Sequence, residues 1–242
     1  MPHFEMIALD ADDTLWHNEC LYTQAQGHFV DLLAHYHEPD WIRARLNQTE
    51  TKNMDHFGYG IKAFALSMIE TSVELTEGRI SGREIGAIVN LVKDMINARV
   101  ELLDGVVDAV IQLAAAYPLM IITKGDLLDQ ERKIDHSGLR DYFIHIEIVS
   151  DKTRDIYAQL LARYAIHPGA FVMVGNSLRS DILPVLELGG SAVYIPYLTT
   201  WAHEIADLPA PDQPGFYQLE TIGGLPALLQ QINDSANSEN KP

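Results

Sequence analysis

The sequence predicts an α/β fold built on a Rossmann-like parallel sheet with helices on both faces, plus an inserted all-helical domain. Two observations predict it. Short, continuously apolar runs alternate with helical patterns over much of the 242 residues, and such runs are typical of strands covered on both faces. Between Trp16 and about Arg99, by contrast, helical patterns follow one another without a clear strand.

Five apolar runs are predicted to be strands: Phe4–Leu9, Leu119–Ile122, Phe143–Val149, Phe171–Val174 and Val193–Ile195. The first four are followed by the polar clusters DADDT, TKGD, SDK and GNS. In open parallel sheets, ligands bind outside the carboxyl ends of the strands. We therefore expect these four clusters to meet at one edge of the sheet.

The helices between the strands are predicted from apolar residues that share one helical face. Two such sets are Val107, Val110, Ala114 and Ile156, Leu160, Tyr164. A further helix is expected after GNS. Pro184 is tolerable only in its first turns, and Gly189–Gly190 is typical of a helix end.

The inserted segment contains three predicted helices: Gln24–Tyr36, Ile61–Val73 and Arg83–Val100. Ser81 with Glu84 is typical of a capping box before the last of them. We expect a discontinuous core at 1–16 and 103–242 and a helical cap at 17–102. The polar residues 234–242 are expected to be disordered.

Composition limits the possible partners and compartment. The chain is 47% hydrophobic, has no apolar run of membrane-span length, and carries a single cysteine, Cys20, so no intrachain disulfide can form. With 34 acidic against 17 basic residues, it has no basic stripe for nucleic acid or an anionic membrane. We expect a cytoplasmic protein with neither partner. Nothing in the sequence indicates an oligomeric state.

The four polar clusters contain the groups that metal-assisted phosphoryl transfer requires: carboxylates, hydroxyls and an ammonium. Asp10 is predicted to attack phosphorus. Asp12, two residues on and facing the same way if the chain stays extended, is predicted to protonate the leaving alcohol and later deprotonate the attacking water. Asp13 is interpreted as a turn residue.

Mg²⁺ prefers oxygen ligands in an octahedron. The predicted protein ligands are Asp10, the backbone carbonyl of Asp12, and Asp181. Asn176 is a further candidate, because its amide oxygen can face the metal or a bound water.

The phosphate oxygens are predicted to contact Thr123 and Lys152, and Lys152 offsets the charge that develops on them. Gly125 allows backbone N–H groups to approach an anion closely. Lys124 is ambiguous between a substrate contact and a surface charge. In the inserted segment, Tyr59, Lys62 and Arg43 are candidates to reach a substrate.

DADDT, the Thr ending the second predicted strand, a Lys ahead of a helix, and GNSLRSD resemble, in this order, the haloacid dehalogenase-like (HAD) hydrolase superfamily and within it the phosphatases. The resemblance covers Pro2–Trp16 and about Leu103–Ile195. It implies a Rossmann-like sheet, a mobile helical cap and an Asp nucleophile. A closed cap would favour small phosphorylated metabolites as substrates.

Two positions depart from the family pattern. Asn176 stands where the fourth motif often carries an acidic residue, and DKTRD lacks the proline that commonly follows the lysine of the third motif. Lys152 is favoured as that lysine over Lys133, which lies within a helical stretch. The alternative functions are a phosphomutase, a 2-haloacid dehalogenase and a catalytically idle binding module.

Overall fold

The computed structural model of the chain describes residues 4–199, 204, 206–210 and 212–239, with side chains up to residue 235. The chain divides into two compact units. The first comprises the segment up to His17, Val100–Thr123 and the chain from Lys133 onward; the second comprises Asn18–Arg99 and Lys124–Arg132. The insertion predicted at 17–102 differs from Asn18–Arg99 by at most three residues at each end, whereas nothing in the sequence predicted that 124–132 would join it.

Within the described residues, six strands form one sheet in the order β3-β2-β1-β4-β5-β6. They are β1 Met6–Leu9, β2 Leu119–Lys124, β3 His145–Val149, β4 Phe171–Gly175, β5 Ser191–Tyr194 and β6 Phe216–Gln218. The pairings of β1 with β2 and β4, of β4 with β5 and of β5 with β6 are parallel. The predicted fold class is confirmed, and the five predicted strands are present. The edge strand β6 was not predicted, because its three residues are partly or fully exposed and form no continuous apolar run.

Strand β1 lies at the centre of this sheet, with Ile7 opposite Leu119 on one side and Val172 on the other. The chain continues from β1 to β2 and β3 on one side and returns to β4, β5 and β6 on the other side. The order therefore reverses between β1 and β4. Such a reversal opens a crevice at the carboxyl ends of the two strands, where ligands bind in folds of this kind.

The Asn18–Arg99 segment of the second unit contains four helices among its described residues: α1 Glu19–Leu33, α2 Pro39–Phe57, α3 Ile61–Leu75 and α4 Gly82–Ile96. The predicted capping box of α4 is confirmed, because Ser81 Oγ accepts from Glu84 N at 3.2 Å and Glu84 Oε2 accepts from Ser81 N at 2.7 Å. Helix α2 was not predicted. Its buried side carries the polar residues Thr49, Glu50 and Asn53, which obscure the apolar period.

The remaining helices are α5 Val106–Ala114, α6 Leu127–Ser137, α7 Arg154–Arg163, α8 Leu183–Glu187 and α9 Leu225–Glu239. Alternate residues of β1 enter two different apolar clusters. Ile7 and Leu9 pack with residues of α5 and α9, and Met6 and Ala8 pack with residues of α7 and α8. Because successive side chains of a strand point to opposite faces, helices cover both faces of the sheet. Pro184 lies in the first turn of α8, as predicted.

The chain is helical from 234 to 239, where the sequence predicted the beginning of a disordered tail. Leu225 and Leu229 of α9 are buried in the core, and a helix nucleated by such packing extends at little cost. The last predicted tail residues, 240–242, lie outside the described residues. Among the described residues, no helix is both long enough and apolar enough to cross a membrane.

Candidate active site

Asp10 follows β1 directly and lies at the point where the strand order reverses. Its backbone N–H donates to the carbonyl of Val174 on β4 at 2.9 Å, so the β1–β4 ladder extends to the residue itself. Its carboxylate is buried and held by two donors. Thr14 Oγ1 donates to Oδ2 at 3.0 Å, and Lys152 Nζ donates to Oδ1. The predicted nucleophile is therefore fixed in orientation.

A tight turn after Asp10 returns Thr14 to that carboxylate. Asp13 has a φ of +62°, a left-handed conformation that Asp tolerates better than most residues. Its N–H donates to the carbonyl of Trp16 at 2.7 Å, and Leu15 N donates to Ala11 O at 2.8 Å. The prediction that Asp13 is a turn residue is confirmed.

Lys152 lies between two buried carboxylates. Besides its contact with Asp10, its Nζ donates to Asp181 Oδ1 at 2.7 Å. The second oxygen of Asp181, Oδ2, accepts from the backbone N–H of Ser177 at 3.0 Å. Asp10 and Asp181, the first and last acidic residues of the predicted site, therefore contact the same ammonium group.

The buried charges shift one another's protonation equilibria. Burial acts to lower the pKa of Lys152, but the adjacent Asp10 and Asp181 outweigh it and raise that pKa above its ordinary value. Burial raises the pKa of Asp181, Lys152 opposes this shift, and Asp10 reinforces it. The ammonium is thus held in its charged form. Because it faces two carboxyl groups, the cluster favours one further positive charge nearby.

Gly175, the last residue of β4, makes room for Asp181. A Cβ atom added at position 175 would lie 2.2 Å from Asp181 Oδ2, a distance that no side chain tolerates. The five residues Leu178–Ile182 form a single π-helical turn, a feature that occurs frequently at functional sites. The glycine and this turn together bring Asp181 back against the end of β4.

Asn176 joins the same cluster through Thr14. The Thr14 hydroxyl lies 3.3 Å from Asn176 Oδ1 and 3.0 Å from Asp10 Oδ2, so one hydroxyl contacts an oxygen of each side chain. Thr123 is the last buried residue of β2, the strand next to β1, and is 1% exposed. The structure therefore links four predicted residues by contact and places Thr123 on the neighbouring strand. The four are Asp10, Lys152, Asp181 and Asn176.

Asp12 is held by two residues that the sequence did not assign to the site. Trp16 Nε1 donates to Asp12 Oδ1 at 2.7 Å. Lys133 Nζ contacts both carboxylate oxygens, at 2.7 and 2.8 Å. Lys133 was set aside because it lies within a helix, and that helix, α6, is what carries it to Asp12. A spacing of 121 residues leaves no local sequence signal for such a pair.

Glu204 is a further acidic residue beside the fourth motif. Its Oε2 accepts from the hydroxyl of Ser180 at 2.6 Å and from the hydroxyl of Ser177. Ser177 Oγ in turn accepts from Ser180 N at 3.0 Å. Sequence reasoning missed Glu204, because no motif surrounds it.

The remaining candidate residues lie in the second unit. Lys124 Nζ lies 4.0 Å from the centroid of the Tyr59 ring, a cation–π distance. Gly125 has a φ of +136°, which favours glycine. Lys62 contacts Asp126 through its backbone N–H at 2.9 Å and its Nζ at 3.2 Å. Arg43 is exposed.

The oxygen donors around Asp10 fit a hard divalent cation. Within the described part of the chain, no three His, Cys, Asp or Glu side chains form a cluster able to hold a metal. A site here would therefore combine the carboxylates of Asp10 and Asp181 with amide and carbonyl oxygens and with water, a donor set that suits Mg²⁺. Each oxygen of Asp181 accepts one hydrogen bond and keeps a second lone pair with which it could bind the ion.

A solved structure of a haloacid dehalogenase-like family hydrolase from Xanthomonas campestris is 39% identical to this chain. It has a TM-score of 0.87, and the match covers 98% of this chain and 95% of that one. A 2-haloacid dehalogenase from Pseudomonas syringae is 18% identical with a TM-score of 0.64, covering 95% and 99%. At that identity the likeness concerns the fold alone.

Among curated proteins, the N-acylneuraminate-9-phosphatase of Mus musculus is 29% identical over 138 residues, or 54% of this chain and 53% of the mouse protein. The Homo sapiens protein of the same name is 29% identical over 121 residues, or 48% and 46%. The chain thus spans about half the length of the curated relatives it matches. A sequence profile described as haloacid dehalogenase-like hydrolase matches residues 4–189. Because that profile covers most of the chain, the chain belongs to the haloacid dehalogenase-like hydrolase family.

Proposed function

We propose that the chain is a Mg²⁺-dependent phosphatase, which hydrolyses a small phosphomonoester through an aspartyl-phosphate formed on Asp10. The observation that supports this most is the fixed carboxylate of Asp10, buried at the strand reversal and held by Lys152 and Thr14. A buried carboxylate beside an ammonium group can attack phosphorus while the ammonium stabilises the phosphoryl oxygens.

In the first step, a carboxylate oxygen of Asp10 bonds to phosphorus while the bond from phosphorus to the ester oxygen breaks. Asp12 gives its proton to that oxygen, so the leaving group departs as an alcohol. Lys152 and Thr123 contact the non-bridging oxygens. The products of this step are the alcohol, the aspartyl-phosphate and ionised Asp12.

In the second step, Asp12 removes a proton from a water molecule whose oxygen bonds to phosphorus. The bond between phosphorus and Asp10 breaks, inorganic phosphate leaves, and Asp12 carries its proton again. One nucleophile and one reusable acid/base therefore complete the cycle.

Asp10, the backbone carbonyl of Asp12, Asn176 and Asp181 are the residues proposed to hold Mg²⁺. When bound, the ion neutralises charge on the phosphoryl oxygens and on the clustered carboxylates. Thr14 supports this assignment, because its hydroxyl contacts both Asp10 and Asn176. An amide at position 176 supplies one less negative charge than a carboxylate, and we expect a correspondingly weaker metal affinity.

The proposed substrate is a small phosphorylated metabolite. The curated relatives are named N-acylneuraminate-9-phosphatase, and they support a phosphatase of small molecules here. The matched stretch covers about half of each chain, and the panel of esters in the test identifies the substrate.

The test is phosphate release from a panel of small phosphomonoesters and p-nitrophenyl phosphate, with Mg²⁺ and with EDTA. We expect release that requires Mg²⁺ in the wild type and is abolished in Asp10→Asn, because an amide is a poor nucleophile. Asp155→Asn is the matched control, since it removes a carboxylate that is 83% exposed on α7. Normal turnover by Asp10→Asn contradicts the assignment.

The same panel, extended by a 2-haloacid, separates the alternatives. Transfer of phosphate to a second sugar hydroxyl without release indicates a phosphomutase, and metal-independent halide release from a 2-haloacid indicates a dehalogenase. A folded protein that acts on none of these compounds indicates a binding module.

A further inference from the structure

Lys133 makes a contact that the proposed mechanism leaves unused. Its Nζ lies 2.7 and 2.8 Å from the two carboxylate oxygens of Asp12. The side chains of Lys133 and Asp12 are 15% and 21% exposed. A charged pair shielded to this extent is held more firmly than one in open solvent.

Trp16 and Lys133 constrain Asp12 in different ways. Trp16 is fully buried, and its Nε1 fixes the position of Oδ1 at 2.7 Å. A contact to one oxygen does not by itself fix the plane of a carboxylate. Lys133 contacts both oxygens and thereby adds a constraint on Oδ2 and on the plane of the group.

That orientation matters because a proton transfer depends on it. A general acid or base must lie within hydrogen-bond reach of the reacting oxygen, and misplacement by about 1 Å can reduce the rate about 100-fold. The ammonium also stabilises the negative charge that develops on Asp12 as its proton leaves, in a loop that already contains Asp10 and Asp13.

We propose that Lys133 is a positioning residue that orients Asp12 for proton transfer to and from the leaving group and the attacking water. The inference rests on the proposed function, since it assigns Asp12 the acid/base role. Lys133 acts through Asp12 and need not contact the substrate. It is distinct from Lys152, which contacts Asp10 and Asp181.

The test compares two esters of similar shape that differ in their need for a proton. Benzyl phosphate releases an alcohol that must be protonated, whereas p-nitrophenyl phosphate releases a stable anion. In Lys133→Met we expect kcat/KM for benzyl phosphate to fall about 10-fold or more, and that for p-nitrophenyl phosphate to change less than about 3-fold. Asp12→Asn should show the same selectivity to a larger extent.

Two further variants isolate the role of the ammonium group. Lys133→Arg keeps the charge and the donors, and should recover most of the benzyl phosphate activity. Arg140→Met is the matched control. It removes a cation from an exposed pair with Asp135 at 2.7 Å and should leave the ratio of the two rates unchanged.

An equal loss on both esters in folded Lys133→Met, or no loss on either, overturns the inference. If circular dichroism shows that Lys133→Met is unfolded, Lys133→Gln replaces it under the same criteria. Wild type that releases phosphate from neither ester would remove the proposed function and this inference together. Active wild type with an unchanged ratio in the variant removes the inference alone.

Discussion

The ammonium of Lys152 lies 2.7 Å from Asp181 Oδ1, and both side chains are at least 98% buried. Because Lys152 also contacts Asp10, one cation holds two carboxyl groups from different strand ends in one place. The third motif thus serves the fold as well as the proposed chemistry. Removal of this cation is therefore expected to affect both stability and activity.

Lys152→Met is expected to abolish turnover and to destabilise the protein. Loss of one partner of a buried ion pair leaves uncompensated charge and costs about 3–5 kcal/mol in the free energy of unfolding. Urea unfolding at pH 7 measures that cost, and phosphate release measures activity. Lys93→Met on α4 is the control, because Lys93 is exposed. Wild-type stability in Lys152→Met would show that Lys152 is not needed to compensate the buried charges of Asp10 and Asp181.

Gly175→Ala is expected to displace Asp181, because the added Cβ would lie 2.2 Å from Oδ2. Overpacking of this kind costs about 1–3 kcal/mol, and activity should fall with it. Gly27→Ala is the matched control. Gly27 lies inside α1, and a methyl group added there would have no neighbour within 4 Å, so alanine should stabilise the helix by about 0.5–1 kcal/mol. Urea unfolding measures the stability of both variants. Equal changes in the free energy of unfolding would contradict the close approach of Gly175 to Asp181.

Thr14→Val keeps the shape of the side chain and removes the hydroxyl that contacts Asp10 and Asn176. Groups that orient metal ligands typically contribute about 10- to 100-fold to metal affinity, so the half-saturating Mg²⁺ concentration should rise by about 10-fold or more. Titration calorimetry with Mg²⁺ measures this independently of turnover. Thr14→Ser retains the hydroxyl and should resemble the wild type. An unchanged affinity in Thr14→Val would place the metal elsewhere.

Glu50 is expected to make stability depend on pH. Burial, assisted by Glu19, raises the pKa of Glu50 from 4.5 to about 7, and its Oε2 has no hydrogen-bond partner among the described residues. The unfolded chain ionises first, so the contribution of Glu50 to stability is fully present below pH 4.5 and is lost as the pH rises through 7.

Glu50→Gln removes that titration. A rise in the pKa from 4.5 to about 7 corresponds to about 3 kcal/mol. We therefore expect the variant to exceed the wild type in unfolding free energy by up to about 3 kcal/mol at about pH 8, and to match it near pH 4.5. Glu131→Gln, at an exposed position of α6, should leave the pH dependence unchanged. Parallel curves for Glu50→Gln and the wild type would contradict a buried, titrating Glu50.

Local patterns predicted the elements that have strong local causes. The strand runs, the capping box of Ser81 and Glu84 and the early position of Pro184 depend on neighbouring residues and were found as predicted. Helix α2 and strand β6 were missed for the same reason. A helix that buries polar side chains and a strand of three residues have no apolar period.

The α/β class, the helical insertion and the polar residues that end the strands follow from local patterns in the sequence, because hydrophobic period and strand ends are local properties. Which of those residues contact one another depends on the folded arrangement of the chain. That arrangement placed Lys152 between Asp10 and Asp181 and carried Lys133 to Asp12. Such contacts depend on strand order and on helix direction. Lys152 is 142 positions from Asp10, and Lys133 is 121 positions from Asp12. The residues next to each partner in the sequence therefore give no sign of the contact.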